Sequence, residues 1–117
     1  MNYQNSIMKI SDNFFWTLHS RAKMSQYQLS ESRVKRVIRY PQRIEEGIAP
    51  KTIAVMQRND TPRRQQEIWV MYQKINKKLR IIAAWRYPGK SPLRQAPPIP
   101  EDILEELSQQ KFDKSNI

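Results

Sequence analysis

Residues 79–87 read LRIIAAWRY, and the middle of this run is apolar on both alternating faces. Side chains along a strand point in turn to opposite sides, so a run apolar on both belongs inside a sheet. Two further runs with a period of two precede it, TIAVMQR (52–58) and EIWVMYQKI (67–75). The second places Ile68, Val70 and Tyr72 on one side and Trp69 and Met71 on the other. The linkers RNDTPRRQQ, a polar and basic turn, and NKK are short, as in an antiparallel meander.

The strand at 79–87 stops in Trp85-Arg86-Tyr87, followed by Pro-Gly, with Lys90 and Arg94 just beyond. A core needs no cation at its rim; a phosphate-binding site does. With Trp85, Ala83 and Ile81 turned to the core, strand alternation turns Arg86 the other way, with Arg80, Ile82 and Ala84. Arg86 is therefore a candidate phosphate ligand, the alternative being an ion pair with Glu67 or a helix carboxylate.

Two helices are expected before the sheet. Thr17 is a candidate N-cap for a short helix carrying Leu18, Ala22 and Tyr27. Ser30 is the candidate N-cap of the next, with Leu29 before it and Val34 four positions in, the hydrophobic-staple arrangement. Val34, Val37 and Ile38 share one face, Lys35, Arg36 and Arg39 take the other, and Pro41 ends the run. Ahead of both lie a lead at 1–11 and the aromatic segment DNFFWTL (12–18), a short strand or an entry segment. Behind the sheet, Pro88, Pro92, Pro97, Pro98 and Pro100 make an extended, stiff arm. EDILEELSQQ then reads as an acidic amphipathic helix, with Ile103, Leu104 and Leu107 in contact range. The expectation is an α+β domain over 12–90, with two N-terminal helices packed on an antiparallel meander of three or four strands. A proline-rich arm and acidic C-terminal helix follow over 91–117.

Charge narrows the function. The net charge is +10 over 117 residues. Residues 1–94 carry 19 Lys and Arg against 6 Asp and Glu, whereas 95–117 carry 2 against 5. A basic body with an acidic tail points to an anionic partner. There is no cysteine, and His19 is the single histidine, so neither a thiolate nor a His-based metal site is expected. Gly47 and Gly89 are the only glycines, too few for a phosphate-cradling loop. No G-x-S-x-G turn supports a serine triad. No apolar run spans a membrane, and MNYQNSIMKIS lacks the charged and apolar regions of a signal peptide. The default address is the cytoplasm, with no cofactor.

The remaining Arg, Lys, Tyr and single His suit metal-free RNA cleavage through the substrate 2′-hydroxyl. Arg and Lys stabilise charge on phosphorus, His or Tyr moves protons, and Trp or Tyr stacks on bases. The candidate nucleic-acid contacts are Lys23, Lys35, Arg36, Arg39, Arg80, Tyr87, Lys90 and Arg94. Two other readings stand beside cleavage: a non-catalytic RNA- or ribosome-binding module, and a protein-interaction domain. In the last, the acidic helix and proline arm embrace a partner or the basic groove of a second copy.

Several segments resemble a family. FFWTLHSRAKMSQYQLSESRVKRVI is similar to the opening of BrnT-like proteins, and LRIIAAWRYPG resembles their last strand. His19 to Met24, Leu29-Ser30 and Pro41-Gln42-Arg43-Ile44 resemble the helix starts and turn of related uncharacterised domains. The likeness is to the RelE/ParE toxin superfamily and covers roughly 12–90, with Trp85 a departure from the usual basic residue. It implies RNA or the ribosome as target, an antitoxin or other acidic protein as partner, and His19, Arg21 and Arg86 at or near the active cleft.

Overall fold

The computed structural model describes residues 13–93 and 95–110, so the lead at 1–11 and Arg94 lie outside it. The architecture is α+β, with three helices and a five-stranded mixed sheet. In chain order the elements are β1 (Phe14–Trp16), α1 (Leu18–Gln26), α2 (Glu31–Arg39), β2 (Arg43–Glu46), β3 (Thr52–Arg58), β4 (Gln66–Ile75), β5 (Lys78–Pro88) and α3 (Glu101–Gln110). The sheet order is β1-β5-β4-β3-β2. The meander β3-β4-β5 forms its middle, with strand ends within a residue of those read from the sequence.

Both sheet edges correct the expected meander of three or four antiparallel strands. β1 runs parallel to β5, with Phe14 opposite Leu79 and Trp16 opposite Ile81. β2 pairs antiparallel with β3, Ile44 opposite Val55. Its sequence, RIEE, is short and rich in a strand-poor residue, so only backbone pairing reveals it. Gly47 closes the β2–β3 turn because a Cβ there would lie 2.0 Å from Thr52 Oγ1. Among the described residues no helix is long and apolar enough to cross a membrane.

The helices start where side-chain oxygens meet free amides. Thr17 Oγ1 accepts from Ser20 N at 3.0 Å and donates to Ile81 O at 2.9 Å, tying the head of α1 to β5. Ser30 Oγ accepts from Arg33 N at 3.0 Å, and Leu29 and Val34 are both buried, completing the staple. Val34, Val37 and Ile38 bury against Val55, Ile68, Val70 and Ile81 on one sheet face.

The other face is covered too. Between β4 and β5 the register shifts at Met71/Tyr72, leaving Ile82 without an opposite residue. This bulge changes the phase of β5. Ile81 belongs to the α1/α2 face, while Ile82, Ala83 and Trp85 belong to the opposite one. The simple alternation that grouped Ile81 with Trp85 is corrected accordingly. Trp85 stacks on Trp69 at 6.2 Å, and Ile103 and Leu107 of α3 join that cluster.

The proline arm is fastened along this face. Glu67, 1% exposed, accepts from Trp69 Nε1 (2.8 Å), Ser91 N (2.9 Å), Ser91 Oγ (2.8 Å) and Arg58 Nη1 (3.2 Å). Arg43 lies over the Trp69 ring and donates to Ser91 Oγ at 2.7 Å. Trp85 Nε1 donates to Pro98 O at 3.1 Å. Described residues of the arm and α3 thus finish the core of the preceding domain.

Ile103 is completely buried, so Ile103→Ala should cost about 2–5 kcal/mol. Urea unfolding should show a lower midpoint with an unchanged slope. An unchanged midpoint would mean that α3 contributes nothing to the fold.

Candidate nucleic-acid interface

The turn between α1 and α2 leaves carbonyls with no helical partner. Tyr27 is the C-cap of α1, and Gln28 holds a left-handed φ of 56°. Arg86, beyond the bulge on β5, reaches these carbonyls. Its Nε donates to Tyr27 O (2.7 Å), Nη2 to Gln28 O (3.0 Å) and Nη1 to Gln66 Oε1 (2.8 Å). A guanidinium has five N–H groups, so two remain after these bonds. No carboxylate among the described residues pairs with Arg86. The ion pair with Glu67 is replaced by two backbone oxygens and the Gln66 amide oxygen, because Glu67 points to the arm face.

Arg86 forms one wall of an open depression of about 430 Å³, lined also by Gln26, Tyr27, Gln28, Arg64 and Gln66. The Arg64 side chain makes no hydrogen bond or ion pair among the described residues, although its backbone pairs with Thr61. Arg33 stands close by, held by Gln57 Oε1 at 2.8 Å. Burial, and then the charges of Arg36 and Arg86, pull its pKa below the usual arginine value. Arg33, Arg64 and Arg86 therefore gather at this end of the sheet, while Asp60 and Glu67 are both drawn to Arg58.

The outer face of α1 is roofed by α3. His19 Nδ1 lies 2.9 Å from Glu106 Oε1. Lys23 Nζ pairs with Asp102 and lies 3.5 Å from Glu106. Burial lowers the pKa of His19, with Lys23 acting the same way and Glu106 against it. Desolvation is the largest cause. Burial also works to lower Lys23, but the hydrogen bond and charge of Asp102 outweigh it and raise the ammonium. The hydrogen bond from Lys23 in turn lowers Asp102.

The other sequence candidates are dispersed. Arg21 pairs with Glu31 at 2.8 Å and lies over Trp16. Lys35 and Arg39 lie over Phe14, at 5.3 and 5.7 Å from its centroid. Arg36 and Lys90 are exposed, and Arg80 is half-buried. Tyr87 packs against the arm-face cluster, away from Arg86. Arg94 lies outside the described residues. Neither His19 nor Arg21 lines the depression at Arg86. Sequence reasoning missed Arg64, Gln26, Gln28 and Gln66. Arg64 sits in the stretch read only as a basic turn, and the glutamines carried no pattern.

The α1–α3 contact should follow pH. Both His19 and Asp102 have depressed values in the fold. Their stabilising contributions are present above the ordinary 6.5 and 3.8 and are lost as pH falls through the folded values. Lys23 is raised, so its contribution is present below the ordinary 10.5 and is lost as pH rises through the folded value. The urea midpoint should therefore hold through the mildly alkaline range and decline once pH drops below 6.5. His19→Gln should postpone the decline until Asp102 titrates. The same onset in wild type and His19→Gln would remove His19 from this linkage.

Comparison with protein-family models, with curated proteins and with solved structures returns no match for this chain. What it does is therefore argued from its own residues.

Proposed function

We propose that this chain binds single-stranded RNA through the phosphate backbone at the basic end of its sheet. The observation that carries the reading is Arg86. Its guanidinium is fixed by three oxygens, pairs with no carboxylate among the described residues, and faces an open depression shared with Arg64, whose side chain bonds to none of the described residues. A planar donor fixed before its ligand arrives loses little entropy on binding a phosphate. The glutamines around it offer amides that suit sugar hydroxyls or base edges. The sequence resemblance is to a superfamily in which many members are ribonucleases and others, ParE-type members among them, do not cut RNA; it favours RNA, free or on the ribosome, as the polyanion. An acidic protein partner would compete for the same surface.

Cleavage needs a proton mover beside the phosphate. His19 begins α1 and Arg86 grips its end, about 12 Å away along the helix axis, and burial raises the pKa of Tyr27, the tyrosine that lines the depression, which makes it a poorer base. Binding without a cut is thus the reading that the geometry supports best.

Labelled single-stranded RNA should shift on a native gel in EDTA and stay intact. Arg64→Gln is the cleaner probe, because Arg86 also holds a turn together and its loss would leave carbonyls unsatisfied. That variant should bind several-fold more weakly, with a salt slope shallower by about 0.7 for one lost phosphate contact. Cutting in EDTA that disappears in Arg86→Lys would make the protein a metal-independent ribonuclease instead. RNA that neither shifts nor is cut would overturn the proposal.

A further inference from the structure

Lys23 is an unusual lysine. It is 6% exposed, on a nine-residue helix whose outer side would otherwise face water. What covers it is α3, and the match between the two helices is paired. His19 and Lys23 stand one turn apart on α1, and Asp102 and Glu106 stand one turn apart on α3. His19 meets Glu106, and Lys23 meets both acids. Ile103 and Leu107 already supply an apolar reason for α3 to dock, and that reason needs no carboxylate at 102 or 106.

The row of His19 and Lys23 on α1 also runs into the depression described above. Gln26 accepts from Lys23 Nζ at 3.1 Å and lies 3.5 Å from Asp102 Oδ2. It lines the same depression as Arg64 and Arg86. His19, Lys23, Gln26, Arg86 and Arg64 therefore form one continuous track, half open and half sealed by acids.

We propose that His19 and Lys23 form a second phosphate subsite of this track, filled in cis by the carboxylates of Asp102 and Glu106. RNA displaces α3 to reach it. This rests on the RNA-binding reading, and the acidic helix then acts as a built-in competitor that stands in for phosphates. The helix is suited to the role: residues 101–107 hold Glu101, Asp102, Glu105 and Glu106 and no base.

The test uses the full chain and a short fluorescent oligouridine. Asp102→Asn/Glu106→Gln should bind several-fold more tightly than wild type. Its salt slope should be steeper by about 0.7 for the phosphate that Lys23 gains, His19 donating a hydrogen bond as a neutral imidazole. Glu46→Gln/Glu101→Gln makes the same change in net charge at exposed acids outside the latch and should leave the slope as in wild type. Adding Lys23→Gln to the first double variant should cancel its gain. In wild type, RNA should speed hydrogen exchange of the α3 amides, a readout independent of any variant.

Equal slopes in the two double variants, with α3 amides unchanged or better protected by RNA, would overturn the proposal. The Lys23–Asp102 contact would then be a structural latch, while Arg64-dependent RNA binding would still stand. No RNA binding by any form would overturn the RNA reading and this proposal with it.

Discussion

The stack of Trp69 on Trp85 sets the terms for the rest of the molecule. β4 and β5 are apolar on both faces, and these two indoles sit on the side that α1 and α2 do not reach. A sheet with an open indole face would leave a large apolar patch in water. The chain closes it with its own arm and terminal helix. Each indole N–H finds an acceptor, Trp69 on Glu67 and Trp85 on Pro98 O, so the stack buries no unmet donor. Placing α3 over the stack also decides where its acids fall, beside Lys23 and His19.

The same constraint separates two kinds of cation. Lys23 and Arg43 are spent inside the structure, on α3 and on the arm. Arg86 is in between: its bonds go to neutral oxygens, which fix its position without cancelling its charge. A guanidinium satisfied by carbonyls keeps its field, whereas one paired with a carboxylate loses most of it at a distance. Arg86 and Arg64 thus leave positive charge at one end of the sheet, while the other candidate cations among the described residues are scattered over several faces.

Local periodicity carried most of the architecture into the sequence. The period-two runs marked β3, β4 and β5 to within a residue, and Thr17 and Ser30 marked both helix starts because capping is written in the residue itself. The two edge strands were less legible, since three or four residues hold too little pattern and their pairing is a long-range event. The bulge at Ile82 was illegible for a related reason: nothing in LRIIAAWRY says which residue stays unpaired. Trp85 and Arg86 were still placed on opposite faces, because the phase change lies upstream of both. Within the candidate site, Arg86 was flagged by its position at the end of a strand. Arg64 and the glutamines became neighbours only through the fold, and the opposite charges of α1 and α3 gave no register for their meeting.

The arm that carries α3 is short where it counts. Trp85 holds the carbonyl of Pro98, and α3 begins at Glu101, so Ile99 and Pro100 alone separate anchor from helix. A segment tethered so tightly has an effective concentration at or above the millimolar range. That value does not change when the protein is diluted. Any anion approaching Lys23 competes with carboxylates that never diffuse away, so a weak polyanion must be correspondingly more concentrated to displace them. On the RNA-binding reading proposed above, a ligand that engages several cations at once gains most, and the length of the tether sets how much negative charge is needed to displace α3.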